Sequence, residues 1–370
     1  MLFKLPTESL LDFLKFLDYF NLSVLQQVNS QFFSFIQQYR DELALKEFSH
    51  LEIISENDVR LSNYRRAVDI VNEVEDRYGS EIYNVELNEE QREKLIWAAE
   101  TQMPLYLSEV LPDMSQANEV DSFLIFISRK DVDNVQQPQL CLELPYYPET
   151  LSDFLYTRFW LFQLSQCYFD SINFSCAVFN PAIVQLLFCH FTEGADLLGP
   201  AIQYHGGNVW LNTGSFINEN IEGEHQYTLT FVEKYLKVYK KLNLRVHAYF
   251  GDLLNFLLFS GWKIKQVVFP YGPGNLIIDL HNLLVYHAEM SKNCLQIIPK
   301  ICFDNANDFP WPDLCTKTKI VEEGNVEGGL YFTKYKVENR YYSSVYFLIK
   351  ICHLFEAQEF KSFEIERIKY

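Results

Sequence analysis

No stretch of this 370-residue chain approaches the 18 or more consecutive apolar residues that a membrane-spanning helix needs. Lys4, Glu8, Asp12 and Lys15 interrupt any apolar core that an export signal would place near the first residue. Positive charge is scarce: 31 basic residues stand against 49 acidic ones, a formal net charge of −18. Phosphate-backbone binding draws on clustered Lys and Arg, so this balance argues against a nucleic-acid partner and against an anionic membrane surface. The eight cysteines contain no CxxC pair. Zinc sites need closely spaced ligands and disulfide scaffolds are usually short chains, so Cys141, Cys167, Cys176, Cys189, Cys294, Cys302, Cys315 and Cys352 read as buried free thiols. The two N-x-S sequons, at Asn21 and Asn173, mean nothing for a chain that never enters the secretory route. These absences describe an acidic, soluble protein of the cytoplasm or nucleus, with no cofactor and no metal.

Catalytic signatures are missing as well. GxSxG, HExxH and GxGxxG do not occur. The histidines are scattered, and His281 and His287 lie six apart, off a common helical face. His205-Gly206-Gly207-Asn208 reads as a turn, as does Tyr271-Gly272-Pro273-Gly274-Asn275, which lacks the Lys-Ser/Thr tail of a phosphate loop. The chain is therefore read as a protein that is not an enzyme.

What it has in quantity is aromatic side chains, 31 Phe and 23 Tyr, enough for an extensively packed interior. Apolar residues are also dense near the start. Leu5-Pro6-Thr7-Glu8 suits a helix start, because proline has no N–H to lose and Thr7 can cap. On a helical wheel Leu10, Phe13, Leu14 and Leu17 form one stripe, widened by Leu11 and Phe16, which leaves only Asp12, Lys15 and Asp18 polar. A helix apolar around most of its girth needs burial on more than one side. Two further short helices follow, one capped by Asn21 with Leu22, Leu25 and Val28, the other capped by Ser30 with Phe32, Phe35, Ile36 and Tyr39.

These residues carry a family resemblance. Leu5, Pro6 and Glu8, then Leu10, Phe13, Leu14, Phe16 and Leu17, then Asp18, Asn21, Leu22, Leu25, Val28 and Phe32 run in register with the F-box pattern. Ser9, Gln27, Ser30 and Gln31 depart from it, and the match covers about the first tenth of the chain. The resemblance implies a three-helix F-box over residues 1–45 that docks the Skp-type adaptor of a cullin–RING ubiquitin ligase. It implies that Leu5, Pro6, Leu10, Phe13, Leu14, Leu17, Leu22 and Val28 line the docking surface, while the rest of the chain selects a target protein. The alternative is an interaction scaffold whose helices belong to its own core.

Residues 46–120 read as a charged helical linker, with Val68, Ile70, Val71 and Val74 set among charges and Asn88 capping a helix through Leu95, Ile96 and Trp97. A loop over Asp113–Asp121 marks a boundary. From 121 to 370 the pattern alternates: strand-like 123–128 and 140–145, helical 148–164, strand-like 168–179, helical 180–188 and 230–242, strand-like 244–250, helical 252–261 and strand-like 263–269. A hairpin is expected around Gly328-Gly329. The overall expectation is an α+β or α/β protein whose C-terminal region forms α/β units, a degenerate leucine-rich-repeat-like solenoid being one form they can take. This region loosely resembles the C-terminal halves of divergent nematode F-box families, through Phe179–Phe188 and the run before it.

Lys234, Lys237, Lys240 and Lys241 follow helical spacing, either as a solvated face or as a local basic patch for an acidic target peptide. Tyr146, Tyr147, Trp210, Trp262 and Trp311 lie near turn residues and are the aromatic candidates for a recognition surface, although burial is their default.

Overall fold

A computed structural model describes residues 6–15, 17, 19–39, 43, 45–55, 87–108, 123–128, 140–174, 176–188, 202–213, 224–246, 250–270, 274–304, 319–326, 330–354 and 360–369. The helices among them are α1 (Thr7–Lys15), α2 (Tyr19–Val28), α3 (Ser30–Gln38), α4 (Glu89–Glu100), α5 (Leu151–Ser165), α6 (Pro181–Phe188), α7 (Glu224–Tyr235), α8 (Phe250–Phe259) and α9 (Gly274–Met290). The strands are β1 (Lys46–Ser55), β2 (Tyr106–Ser108), β3 (Phe123–Ser128), β4 (Leu140–Leu144), β5 (Cys167–Phe174), β6 (Ala177–Phe179) and β7 (Tyr204–Thr213). They continue as β8 (Leu236–Val246), β9 (Gln266–Phe269), β10 (Lys300–Asp304), β11 (Lys319–Val326), β12 (Leu330–Glu338), β13 (Val345–Leu354) and β14 (Phe360–Lys369).

Local chemistry accounts for several boundaries. Asn88 accepts from the Gln91 amide at 2.8 Å and the Gln91 side chain accepts from the Asn88 amide at 3.2 Å, a reciprocal cap that starts α4. Thr150 and Asp153 do the same for α5. Pro181 opens α6, where its missing N–H costs nothing. Asn180 just before it accepts from the Ala182 amide at 3.0 Å and donates to the Pro104 carbonyl at 2.9 Å. The cap of α3 is Asn29 rather than Ser30, its Oδ1 accepting from the Gln31 amide.

Twelve of these strands form one sheet in the order β11-β12-β13-β14-β10-β9-β8-β7-β5-β1-β3-β4. The middle of it, β1, β5, β7, β8, β9 and β10, is parallel. Both flanks are antiparallel. From β5 to β10 each crossover advances one strand in the same direction, by way of α6, α7, α8 and α9. Right-handed crossovers that never reverse direction leave all their helices on one face. The buried residues agree. Phe169, Ile172, Phe174, Val209, Leu211, Leu242, Leu244, Val267, Ile301 and Phe303 of the strands share one core with Phe231, Phe256, Leu257, Leu280 and Leu284 of the helices. Aromatic rings fill it edge to face, as at Phe174–Phe231, 5.6 Å between centroids. His281 of α9 is buried edge-on to Phe363 at 5.0 Å, and burial lowers its pKa.

The sheet corrects the expected architecture. The chain is dominated by this mixed sheet, and a three-helix F-box joined by a helical linker to α/β units is not seen. The supposed linker contributes β1, with Leu51, Ile53 and Ile54 fully buried between β5 and β3. A run of charged and apolar residues without clean alternation had concealed a strand whose second half, residues 51–54, is covered on both faces. Val68, Ile70, Val71 and Val74 lie outside the described residues. The C-terminal region is not a solenoid either, because the parallel run stops at β10 and β11–β14 continue the sheet as antiparallel strands. Separate from the main core, α1–α3 close a small cluster of Leu10, Leu11, Leu14, Leu22, Phe32, Ile36 and Leu43.

Of the cysteines, Cys167, Cys294 and Cys302 are buried, and Cys176 and Cys352 are half-buried. Burial, chiefly, pushes the Cys167 and Cys302 thiols up to about 12, which leaves them unreactive near neutral pH.

Candidate functional site

The residues expected to line an adaptor surface fall into two groups. Leu10, Leu14 and Leu22 are interior, and Leu17 packs against the same small cluster. Pro6 is exposed, as are Phe13 at 42% and Val28 at 70%. Leu5 lies outside the described residues. Two aromatic or branched residues not anticipated there, Val24 and Phe33, are also exposed. Of the two flanks of α1, Leu11 turns inward and Phe16 lies outside the described residues.

A second surface comes from the face of the sheet turned away from α6–α9. Its rows follow from the strand register. One row crosses from Glu52 through Asn173, Trp210, Asn243 and Val268 to Cys302 and Glu364. A second crosses Tyr168, His205 and Lys237. At the β1–β3 end this face is closed, with Ile54, Leu124 and Phe126 buried. Further along it opens, and Trp210 is 44% and Tyr239 38% exposed.

A kink shapes this surface. Buried positions on β5 and β7 resume at Ile172 and Val209, three residues after Phe169 and Gly206 instead of the usual two. On β8 two residues, Tyr239 and Lys240, stand where β7 has only Gly207. Gly207 is the hinge of this bulge, since a Cβ there would sit 2.7 Å from both the Asp170 carbonyl oxygen and Tyr168 Oη. The bulge turns Tyr239 outward beside Tyr168, edge to face at 5.6 Å, and over His205. The buried His205 Nδ1 lies 2.9 Å from the Tyr239 hydroxyl. Lys237 lies over the Tyr239 ring at 5.5 Å and Lys241 over Trp210 at 5.9 Å, contacts worth about 0.5–1 kcal/mol each at exposed sites.

The amides hold the row flat against the backbone. Asn243 donates to the Val209 carbonyl at 3.2 Å and Asn173 to Glu52 Oε1 at 2.9 Å. Among the described residues no three His, Cys, Asp or Glu groups are arranged to hold a metal. The chemistry on offer is recognition: ring faces, ammonium groups and hydrogen-bonding amides.

Sequence reading found parts of this face and misplaced others. Trp210 was a candidate and is exposed, and Trp262 is exposed at 76% on the turn after α8. Tyr146 is buried, Tyr147 is half-buried, and Trp311 lies outside the described residues. The lysines do not share a helix, because α7 ends at Tyr235 and Lys237, Lys240 and Lys241 belong to β8. His205-Gly206-Gly207-Asn208 is not a turn but the middle of β7. Tyr168 and Tyr239 were missed, although the paired glycines inside an otherwise strand-forming run were a signal for a bulge.

Residues 77–247 match a domain family of unknown function, DUF8381. The match ends one residue beyond β8 and so takes in the strands that carry Tyr168, Trp210 and Tyr239. No curated protein and no solved structure matches the chain.

Proposed function

We propose that this chain is a non-catalytic, substrate-receptor subunit of a Skp–cullin–F-box type ubiquitin ligase. The N-terminal helices dock the Skp-type adaptor, the open sheet face holds a target protein, and ubiquitin transfer takes place on other subunits. The observation that supports it is the exposure of Phe13 and Val28 on helices whose opposite side already has its own closed core. Both residues belong to the set that the sequence resemblance assigns to the adaptor, and exposed apolar anchors of this kind mark interaction sites.

The test is a binding titration of the full chain with a purified Skp-type adaptor. Phe13→Glu with Val28→Glu is expected to weaken binding at least tenfold while the circular dichroism spectrum stays unchanged. Unaltered binding by that folded double variant, or no binding by the parent chain, sinks the reading. A second reading, a scaffold outside any ligase, draws on the commitment of Leu10, Leu14 and Leu22 to their own core. It is favoured if the adaptor fails to bind while other protein partners are retained.

A further inference from the structure

We infer that the open face of β5, β7 and β8 binds an extended acidic segment of a partner protein, with Lys237 and Lys241 meeting its carboxylates and Trp210 and Tyr239 its apolar side chains. This deepens the target-binding half of the function proposed above and rests on it. Adaptor docking by α1–α3 is a separate event read by a separate assay.

Charge is the first argument. The chain carries a formal −18, yet Lys237 and Lys241 stand on this face over aromatic rings, and neither closes a direct ion pair with a described carboxylate; Lys241 acts at longer range on Asp304, whose carboxyl its charge pulls down against the larger effect of burial. Elsewhere on the same face three lysines are matched internally, Lys300 with Glu364 at 2.7 Å, Lys334 with Glu322 at 2.5 Å and Lys336 with Glu338 at 2.7 Å, while Lys350 lies over the Phe332 ring. The described open-face positions of β7, β8 and β9 include no carboxylate, Asn208 and Asn243 add amides, and the acidic groups at the margins are Asp170 on β5 and Asp304 on β10, against Lys237, Lys240 and Lys241 on β8.

Spacing is the second. Lys237, Tyr239 and Lys241 follow one another at two-residue steps on β8, opposite the buried Val238 and Leu242, so the strand presents cation, ring and cation about 6–7 Å apart in turn. An extended peptide repeats its own side chains at the same interval, which matches acidic residues alternating with apolar ones. Trp210 beside Lys241 supplies a large rigid ring in the position of an interface anchor. A long nucleic acid would meet the repulsion of the whole chain, and a second copy would bring lysine against lysine.

The experiment is a fluorescence-anisotropy titration of the full chain with two labelled ten-residue peptide mixtures, one of Glu, Asp, Phe, Leu and Gly, the other with Lys in place of the acids. A labelled single-stranded oligothymidine of ten nucleotides is a third probe. The acidic mixture is expected to bind at least tenfold more tightly than the lysine mixture at low salt and to weaken several-fold as salt is raised. Lys237→Glu with Lys241→Glu is expected to abolish that preference, Trp210→Ala to weaken binding at least fivefold, and Lys336→Ala to change it less than twofold. Should the charge reversal unfold the chain, Lys237→Met with Lys241→Met keeps the side-chain stems and is expected to lose most of the preference. Equal binding of the two mixtures overturns the inference, as does oligothymidine binding as tightly as the acidic mixture. So does a folded double variant that binds as the parent does, or sedimentation showing that the face is occupied by a second copy. None of these results bears on the adaptor titration, so the two ideas can fail separately.

Discussion

The two halves of the open sheet face use the same materials and finish them differently. In the antiparallel half, β10 with β11–β14, lysines lie beside rings and beside carboxylates. Lys334 and Lys350 both sit over Phe332, and Lys300, Lys334 and Lys336 each reach a glutamate. In the parallel half, β5 with β7 and β8, Lys237 and Lys241 lie over rings without a direct ion pair, and Lys241 acts on the Asp304 carboxyl of β10 only through its charge. Antiparallel ladders place residues directly opposite one another, as Lys334 is to Glu322 and Lys350 to Glu364, so charge can be matched within the sheet. The bulge beside Gly207 breaks that facing arrangement in the parallel half and turns its side chains outward. Three lysines of one half are held by glutamates, whereas Lys237 and Lys241 in the other close no direct ion pair.

The largest test of this contrast concerns its glycines. Gly207→Val places a Cβ against the Asp170 backbone, which has nowhere to go, and is expected to cost about 2–4 kcal/mol in chemical denaturation. Gly324→Val in the antiparallel half meets only the far edge of the half-buried Phe332 ring at 2.8 Å. That ring can swing, so the cost should stay below about 1 kcal/mol. Equal costs would mean the bulge is not what separates the halves.

Glu364→Ala comes next. Burial, the largest single influence, lowers the Lys300 ammonium, but the hydrogen bond and charge of Glu364 together with the charges of Cys302 and Glu366 outweigh it and the net shift is upward. The pair is about one-third exposed, so solvent screening limits the expected loss to roughly 0.5–1 kcal/mol, readable as a drop in melting temperature. No change at all would remove the claim that the antiparallel half is internally matched. The smallest effect is expected from Lys241→Met, within about 0.5 kcal/mol of the parent by the same measurement. A larger loss would show that Lys241 already serves the fold, and the difference between the halves would disappear.

Much of the local structure was legible in the residues. Asn88, Thr150 and Pro181 sit at helix starts because capping and fixed φ are local chemistry. The run from Phe123 to Ser128 is a strand whose bulky residues are buried, as its composition suggests. The lysines of 234–241 were misread because nothing but a change of period separates α7 from β8: Tyr235 ends the helix and Leu236 begins the strand without a glycine or proline between them. Leu10 and Leu14 could not be told from Phe13 on a wheel that shows apolar width but not what covers it, and packing turned the first two inward and left the third at the surface.

By itself the sequence determined the acidic balance, the aromatic wealth, the cysteines as candidates for burial, and the preference of most segments for helix or strand. Those properties are sums over residues or interactions among near neighbours. Only the tertiary structure decided that β1 belongs to the main sheet, that the crossover helices share one face, and that Tyr168, Trp210, Tyr239, Lys237 and Lys241 come together on the other. Strand order and register join residues far apart in the chain, and a single bulge determines which way their side chains point.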